Sequence, residues 1–156
     1  MIRIQIPGFR TLVLEHLVLD YNGTLAVDGE LKNGVSERLC ILAAHVTIHV
    51  ITADTFGRAR SALAGLPCEL SVLPKKRQDR AKLSYVKRLG ARHCACIGNG
   101  RNDRSMLKAA ALGIVVVLAE GASAEALASA RVVTGSITDA LDLLIHPLRL
   151  LATLRS

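Results

Sequence analysis

The sequence predicts an α/β protein with a doubly wound, Rossmann-like parallel sheet in three layers. Over 156 residues, short apolar runs, most of them rich in β-branched residues, alternate with segments that carry helix signals. Strands that are buried on both faces and joined by helical crossovers are typical of parallel sheets. Hydrophobic residues make up 51% of the chain and aromatic residues 3%, so the core must be aliphatic, which favours layered packing. No linker or repeat divides the chain, and we expect one domain over residues 1–156.

The predicted strands begin with a hairpin. Residues 2–6 and 11–20 flank the turn PGFR, which indicates an N-terminal hairpin leading into the first core strand. The segment LAVDGELKNG then has room only for a small hairpin flap turned at Asp28-Gly29, so no cap domain is expected. The later apolar runs predict strands at 46–52, 68–73, 94–97 and 113–118, and a weaker one at 131–134.

Helix signals fill the intervals between these strands. Gly90 and Gly113 stand where helix C-caps are expected. The segment SITD (136–139) is a capping box with Asp in place of Glu, and an apolar helical stripe follows it. The predicted helices cover residues 36–44, 55–64, 79–89, 103–111, 122–129 and the C-terminal segment from 137.

Charge and composition limit the partners. The net charge of +7 suggests an acidic partner, either a phosphorylated small molecule or nucleic acid. Basic residues are dispersed except in PKKRQDRAK (74–82), and too few aromatics are present to stack on bases, so nucleic acid is not expected. The longest uncharged apolar run, 109–119, is shorter than the roughly 18 to 20 residues that span a bilayer, and no leader is evident. We therefore expect a cytoplasmic protein without membrane contact.

Cysteines and histidines give no metal-binding spacing. Cys40, Cys68, Cys94 and Cys96 are expected to be buried thiols rather than a zinc site, and the five histidines to be structural. The basic C-terminal segment HPLRLLATLR is expected to pack on the domain or against a second subunit, which makes a homo-oligomer possible.

Polar residues follow the predicted core strands at the points where the strands end. The first core strand ends in Asp20-Tyr21-Asn22-Gly23-Thr24 and the second in Thr52-Ala53-Asp54, while 98–103 (GNGRND) follows the fourth. The helix after the third strand carries Lys82 in its first turns. Each feature alone is a common turn or cap. Asp54 is expected either to cap the next helix, which we favour, or to line the cleft. Together they predict a site, because ligands of open α/β sheets bind at the carboxyl ends of the strands.

The motifs D-x-N-G-T (20–24) and G-N-G-x-N-D (98–103), with Thr52 and Lys82 between them, resemble those of the haloacid dehalogenase (HAD) superfamily of aspartyl-phosphate enzymes. The sequence is most similar to the phosphorylation domain of P-type ATPases and to small soluble P-type ATPase-like phosphatases. The resemblance runs from Leu17 through the C-terminal segment. It implies a HAD-like core and a hydrolase that removes a phosphoryl group from an ester or anhydride.

The resemblance also implies roles for individual residues. Asp20 would be the nucleophile that forms an aspartyl-phosphate, with Thr24 and the turn backbone at Gly23 near the phosphate. Thr52, followed by Ala53, would hydrogen-bond a phosphate oxygen. Lys82 would offset the negative charge. We prefer Lys82 to the nearby Lys75 and Lys76 because the order DRAK suggests Asp79 as an N-cap and directs Lys82 toward the strand ends.

Two positions depart from the superfamily pattern. Magnesium is the implied metal, with Asp20, the backbone carbonyl of Asn22, Asn99 and Asp103 as its ligands and Asn102 beside them. The superfamily usually has Asp at position 99, and most of its phosphatases have Asp at position 22 as general acid and base. Asn cannot transfer a proton at neutral pH. We therefore expect either a slow phosphatase or a regulatory module that binds a phosphate or a phosphoprotein with little turnover.

Overall fold

A parallel sheet of six strands forms the centre of the computed structural model, which describes residues 1–53 and 57–156. The core strands are β3 (His16–Asp20), β6 (Thr47–Thr52), β7 (Glu69–Val72), β8 (Cys94–Gly98), β9 (Leu112–Val116) and β10 (Val132–Thr134). They lie in the order β10-β9-β8-β3-β6-β7, and every neighbouring pair is parallel. The predicted doubly wound sheet is confirmed.

Seven α-helices connect or follow the strands in the described residues. They are α1 (Val35–Ala43), α2 (Ala59–Ala62), α3 (Gln78–Leu89), α4 (Arg104–Ala109), α5 (Ala124–Ser129), α6 (Ile137–Ile145) and α7 (Pro147–Leu154), with 3₁₀ turns at Ala91–His93 and Arg101–Asp103. The predicted helix 55–64 is shorter than expected; its first residues, and Asp54 with its predicted cap, lie outside the described residues. The C-terminal stripe is two helices rather than one, because Pro147 has no N–H to continue α6 and instead starts α7.

Alternate residues of each strand face opposite helical layers. In β3, Leu17 and Leu19 are buried in one cluster together with apolar residues of α1, α6 and α7. Val18, between them, faces a second cluster that includes residues of α3, α4 and α5. This alternation of period two confirms the predicted three layers. No helix among the described residues is long and apolar enough to cross a bilayer.

Two antiparallel hairpins are added to the core. The N-terminal hairpin pairs β1 (Ile2–Ile6) with β2 (Arg10–Leu14) and buries Ile2, Ile4 and Ile6. The flap pairs β4 (Ala26–Val27) with β5 (Glu30–Leu31). Both hairpins agree with the sequence prediction. Asp28 and Gly29 at the flap's turn have φ of 53° and 80°, the left-handed pair that a two-residue hairpin turn requires.

One predicted helix end is correct and another is wrong. Gly90 ends α3 in the left-handed region, with φ of 87°. Gly113 does not cap a helix but lies inside β9, where a Cβ would overlap the carbonyl oxygen of Leu107 in α4. The glycine is therefore needed for the close approach of helix and strand rather than for a turn.

Local side-chain predictions also have mixed outcomes. Ser136 caps α6 as predicted: its Oγ accepts from the Asp139 N–H at 3.0 Å and donates to Asp139 Oδ2 at 2.7 Å. Cys94 and Cys96 are buried and Cys68 is partly buried, but Cys40 is exposed on α1, which corrects the expectation of four buried thiols.

Helices α1 and α6 are joined by an ion pair whose contribution should depend on pH. Arg38 donates from Nε to Asp142 Oδ1 at 2.7 Å and from Nη2 to Oδ2 at 3.0 Å. The hydrogen bond from Arg38 lowers the pKa of Asp142. A carboxyl with a lowered folded pKa stabilises the fold above its unfolded pKa, and this stability is lost as the pH falls through the folded value.

We expect Asp142→Asn to lower the free energy of unfolding by about 1 kcal/mol at pH 7 and by much less below pH 3. Urea unfolding of the variant and the unchanged protein at both pH values measures the difference. Arg38→Gln should remove the same increment, and the double variant should lose no more than either single variant. A difference that stays constant with pH would contradict the assignment to this ion pair.

Candidate active site

The polar strand ends meet at one edge of the sheet. Asp20 is the last residue of β3, Thr52 is the last of β6, and Asn99 directly follows β8. These strands are neighbours, with β3 in the middle. After β3 the chain winds outward through β6 and β7 and then returns to the other side of β3 at β8. The edge is therefore the topological switch point at which doubly wound proteins bind ligands.

Lys82 joins two buried carboxylates at this edge. Its Nζ lies 2.5 Å from Asp20 Oδ1 and 2.6 Å from Asp103 Oδ1. The Lys82 side chain is only 1% exposed, although lysine is among the residues least often buried. Ionised together, the three groups carry one net negative charge, and removal of Lys82 would leave two carboxylates facing each other without compensation.

Asp103 is held by the loop that follows β8. Its Oδ2 accepts from the backbone N–H of Asn99 at 3.0 Å and of Gly100 at 2.8 Å, and its side chain is fully buried. Gly98 makes room for it, since a Cβ there would lie 2.6 Å from Asp103 Cγ. The glycines of the GNGRND segment therefore bring a fixed carboxylate toward Asp20.

Thr24 and Asn99 complete the immediate surroundings of Asp20. The Thr24 hydroxyl lies 3.1 Å from Asp20 Oδ2 and 3.3 Å from Asn99 Oδ1, and it donates to one of them at a time. The Asn99 amide nitrogen donates to the backbone carbonyl of Gly121 at 3.0 Å, which turns the amide oxygen toward Thr24. Asn99 is thus fixed at the position where a carboxylate would stand in the superfamily motif.

In the turn after Asp20, most backbone N–H groups donate to carbonyls of the turn itself. The Gly23 N–H donates to Ala26 O at 2.8 Å and the Thr24 N–H to Tyr21 O at 3.2 Å, so neither is directed at a ligand. Gly23 serves the site by having no side chain: its φ is 76°, and a Cβ would overlap the Asn99 amide. Asn22 Oδ1 is buried without a hydrogen-bond partner among the described residues.

The remaining candidates lie at the same edge. Thr52 is 2% exposed and its carbonyl accepts from the Leu73 N–H at 2.7 Å, and Ala53 follows it at the strand end. Asn102, next to Asp103, does not contact Asp20; its Nδ2 donates to Gln78 Oε1 at 2.6 Å.

The expected Asp79 cap is wrong. Arg77, with φ of 55°, precedes α3, and Asp79 lies in the first turn, where its carboxylate pairs with Arg104 Nη2 at 3.1 Å. Lys82 nevertheless reaches the strand ends, because α3 packs against the sheet through the buried Val86, one turn further along the same face.

Burial and charge shift the ionisation of the central pair. Burial raises the pKa of Asp20 to about 6, helped by the charge of Asp103 and opposed by Lys82. Burial alone would lower the pKa of Lys82, but attraction to Asp20 and Asp103 outweighs it and holds this pKa above the ordinary lysine value. Lys82 therefore stays charged, and Asp20 loses its proton at a higher pH than an exposed carboxyl does.

The oxygen atoms at this edge fit a magnesium ion better than a softer metal. The described residues contain no group of three or more His, Cys, Asp or Glu side chains that could hold a metal by themselves. Magnesium, however, is usually held by one or two carboxylates together with phosphate oxygens and water. Asp20 and Asp103 supply two carboxylates, and the unpartnered Asn22 Oδ1 shows that the turn has unused acceptor capacity.

Three contributors to the site were not found from the sequence. Gly121 O orients Asn99, Gln78 holds Asn102, and Glu120 Oε1 accepts from the Asp28 N–H at 2.9 Å, which ties the flap to the loop after β9. Gly121 and Gln78 contribute through backbone or amide contacts between segments distant in sequence. Of these contacts, only the one to Asp28 had a local sequence signal, which is the Asp28-Gly29 turn that predicts the flap.

Gly98→Ala should disturb the site through Asp103. The new Cβ would require Asp103 to move away from its two backbone donors, and we expect the free energy of unfolding to fall by about 1 to 3 kcal/mol. Gly135→Ala is the matched control, because a Cβ there meets nothing within 4 Å and Gly135 has no left-handed φ. Thermal or urea unfolding compares the two variants. Equal stabilities would show that Asp103 is not confined by Gly98.

The fold is that of HAD superfamily hydrolases. A solved HAD superfamily (subfamily III A) hydrolase from Legionella pneumophila superposes with a TM-score of 0.71 at 18% identity, over 90% of this chain and 86% of that one. The magnesium- and phosphate-bound 3-deoxy-D-manno-octulosonate 8-phosphate phosphatase of Moraxella catarrhalis gives 0.64 at 19% identity, over 85% and 86%. The cobalt-bound phosphatase of Haemophilus influenzae gives 0.70 at 15% identity, over 92% and 94%. These structure neighbours are a HAD superfamily hydrolase and two phosphatases, and at such identities they establish the fold.

Sequence comparison finds relatives in Methanocaldococcus jannaschii. No family model matches the chain. The chain belongs to the same family as the uncharacterized protein MJ0072 of Methanocaldococcus jannaschii, with 51% identity over 39 residues that cover 89% of that protein and 25% of this chain. The uncharacterized protein MJ0073 of the same organism is 51% identical over 59 residues, which are 38% of this chain and 63% of MJ0073. Both relatives are described without an activity.

Proposed function

We propose that the protein is a magnesium-dependent phosphatase of the soluble P-type ATPase-like kind that works through an aspartyl-phosphate at Asp20. The observation that carries the proposal is the bridge from Lys82 to Asp20 and Asp103 at the switch point of the sheet. A nucleophilic carboxylate, a fixed ammonium and a second carboxylate are the groups that phosphoryl transfer requires when a divalent cation joins them. The HAD fold of the structure neighbours supports the same class.

The proposed reaction has two steps. An Asp20 oxygen attacks phosphorus, the bond from phosphorus to the leaving oxygen breaks, and an acyl phosphate forms. Water then attacks the acyl phosphate, which releases inorganic phosphate and restores the Asp20 carboxylate. Lys82 offsets charge on the transferring group, Thr24 holds the second Asp20 oxygen, and Thr52 with Ala53 is proposed to hydrogen-bond the phosphate.

Magnesium is proposed to be held by Asp20, Asp103, Asn99 and the backbone carbonyl of Asn22. When bound, it would neutralise phosphate oxygens and favour the ionised form of Asp20. Asn99 brings one negative charge fewer than the usual Asp, which should weaken metal affinity. We therefore expect half-maximal activity to need more magnesium than in the Asn99→Asp variant.

The second step is proposed to be slow. Asn22 stands where most phosphatases of the superfamily have the Asp that donates a proton to the leaving group and later accepts one from water. An amide can orient either group by hydrogen bonding but transfers no proton. The aspartyl-phosphate should therefore persist long enough to be isolated.

Single-turnover labelling tests the proposal. The protein is mixed with an aryl or acyl phosphate and magnesium, quenched in acid and analysed by peptide mass spectrometry. We expect one phosphoryl group on the peptide that contains Asp20, removed by hydroxylamine as acyl phosphates are. Absence of the label over a broad panel of phosphate esters and anhydrides, with no phosphate release, would exclude the enzyme.

A regulatory module that binds a phosphate or phosphoprotein is the second candidate. Asn22 and Asn99 favour it, because their amides can hydrogen-bond a ligand but transfer no proton and carry no charge. Such a module would bind inorganic phosphate with magnesium in calorimetry and give no label on Asp20. A phosphatase would give both binding and label, so the two functions are separated by the same pair of measurements.

A further inference from the structure

A cationic pocket opens beside the candidate active site and is not used by the proposed chemistry. It has a volume of about 470 Å³, and its walls carry Lys75, Arg77, Arg101 and Arg104 against the single carboxylate of Asp79. We call it the basic pocket. A concave space of this size suits part of a small ligand rather than a nucleic-acid duplex.

The basic pocket and the Asp20 site share two structural elements. Gln78, which lines the pocket, lies four residues before Lys82 on α3, so the two side chains occupy the same helix face about one turn apart. Asn102, also in the lining, directly precedes Asp103 and bonds Gln78. The basic pocket therefore adjoins the Asp20 site through α3 and the loop after β8, and a ligand whose phosphate lies at Asp20 could extend toward it.

Two of the four cations have no carboxylate partner among the described residues. Arg104 pairs with Asp79 and Arg101 with Glu125, but no ion pair is recorded for Lys75 or Arg77. The described lining of the pocket therefore has an excess of positive charge, which an anionic ligand would offset.

The backbone at Arg77 gives an independent reason to assign a role to this side chain. Its φ of 55° lies in the left-handed region, where glycine is favoured and other residues cost about 1 kcal/mol or more. The side chain is exposed, so no core packing compensates that cost. Arg77 thus places a cation in the lining of the pocket at a position whose backbone geometry favours glycine.

We propose that the basic pocket selects substrates that carry a second anionic group, a carboxylate or a second phosphate, near the scissile phosphate. This inference rests on the proposed phosphatase function and names its substrate class. The site has no cap domain in the described residues that could provide selectivity instead. The charge of the pocket, rather than enclosure, would distinguish these small molecules from simple phosphate esters.

Matched pairs of phosphates test the selection. Glycerol 3-phosphate is compared with 3-phosphoglycerate, which replaces a hydroxymethyl group by a carboxylate, and fructose 6-phosphate with fructose 1,6-bisphosphate. We expect kcat/KM to be about tenfold higher for the doubly anionic member of at least one pair, mainly through KM. The pair that responds distinguishes a carboxylate from a phosphate as the second anion.

Variants assign the preference to the pocket. The double variant Lys75→Gln and Arg77→Gly removes both unpaired cations, and the glycine accepts the left-handed backbone without strain. We expect it to lose most of the tenfold preference. Arg3→Gln, on the exposed face of β1, removes a charge far from the pocket and should keep the preference. An unchanged preference in the double variant would overturn the inference.

Binding separates failure of this inference from failure of the proposed function. Calorimetry of the same pairs without magnesium measures selection when no turnover occurs. Preferential binding of the doubly anionic member in calorimetry, combined with no phosphate release once magnesium is added, would support the pocket and exclude the phosphatase. Turnover without any preference for the doubly anionic member would support the phosphatase and exclude the proposed role of the pocket. Preference for a 5′-phosphorylated oligonucleotide over both small-molecule pairs would overturn the assignment of the pocket to small anions.

Discussion

Asp20→Asn should abolish phosphate release and leave no label on the protein. The amide nitrogen and oxygen of Asn are poor nucleophiles toward phosphorus, so the first bond of the proposed pathway cannot form. Removal of a covalent nucleophile typically costs roughly 10³- to 10⁶-fold in turnover. Release of phosphate from an aryl phosphate at saturating magnesium, followed with time, measures the loss.

This variant should keep its fold, which makes the result interpretable. Asn has nearly the shape of Asp, and Lys82 retains its bond to Asp103. The burial of a charge and the repulsion from Asp103, which together raise the pKa of Asp20, are both removed. We expect the free energy of unfolding to change by no more than about 1 to 2 kcal/mol. Asp28→Asn in the turn of the flap is the control, since Asn also adopts the left-handed region, and it should retain full activity. Phosphate release that survives in Asp20→Asn would exclude Asp20 as the nucleophile.

Asn22→Asp should accelerate hydrolysis of the aspartyl-phosphate by about 10²- to 10⁴-fold, which is the usual contribution of a positioned general acid and base. Asn22 lies two residues after Asp20 in the turn, and its Oδ1 is buried without a hydrogen-bond partner among the described residues. A carboxyl at this position would be buried two residues after Asp20. Burial would raise its pKa, so it could hold a proton for the leaving group.

Rapid-quench measurement of label against time separates the two steps. We expect the label to decay faster in Asn22→Asp, while its yield falls because hydrolysis overtakes formation. Asn22→Ala is the matched control, because it removes the amide without adding a proton donor and should not accelerate decay. An unchanged decay rate in Asn22→Asp would show that proton transfer at position 22 does not limit turnover.

Much of the fold was predictable from the sequence because its signals are local. The apolar runs of β3, β6, β8 and β9, the Asp28-Gly29 turn and the Ser136 cap depend on residues only a few positions apart. The sequence-based predictions failed where contacts with a segment distant in the chain determine the local structure. Gly113 has the same local appearance as Gly90, but it lies in a strand because α4 packs closely over it.

In the candidate site too, features set by local sequence were predicted and features set by long-range contacts were not. The sequence predicted which strand ends carry carboxylates, amides and hydroxyls, since alternation of strands and helices places carboxyl ends at one edge. It did not predict that Asp79 pairs with Arg104 instead of capping α3, because that contact joins two helices. The basic pocket was likewise visible only as a charged segment, for which a solvated helix start is the usual interpretation.

The sequence by itself determined the order of the motifs, the parallel sheet and the edge at which chemistry is possible, because these follow from backbone periodicity and local turn preferences. Only the tertiary structure decided that Lys82, rather than Lys75 or Lys76, bridges Asp20 and Asp103, and that Lys75 and Arg77 face a pocket beside them. The reason is that charges act through space. Packing of α3 against the sheet sets those distances, and packing depends on contacts between residues far apart in the chain.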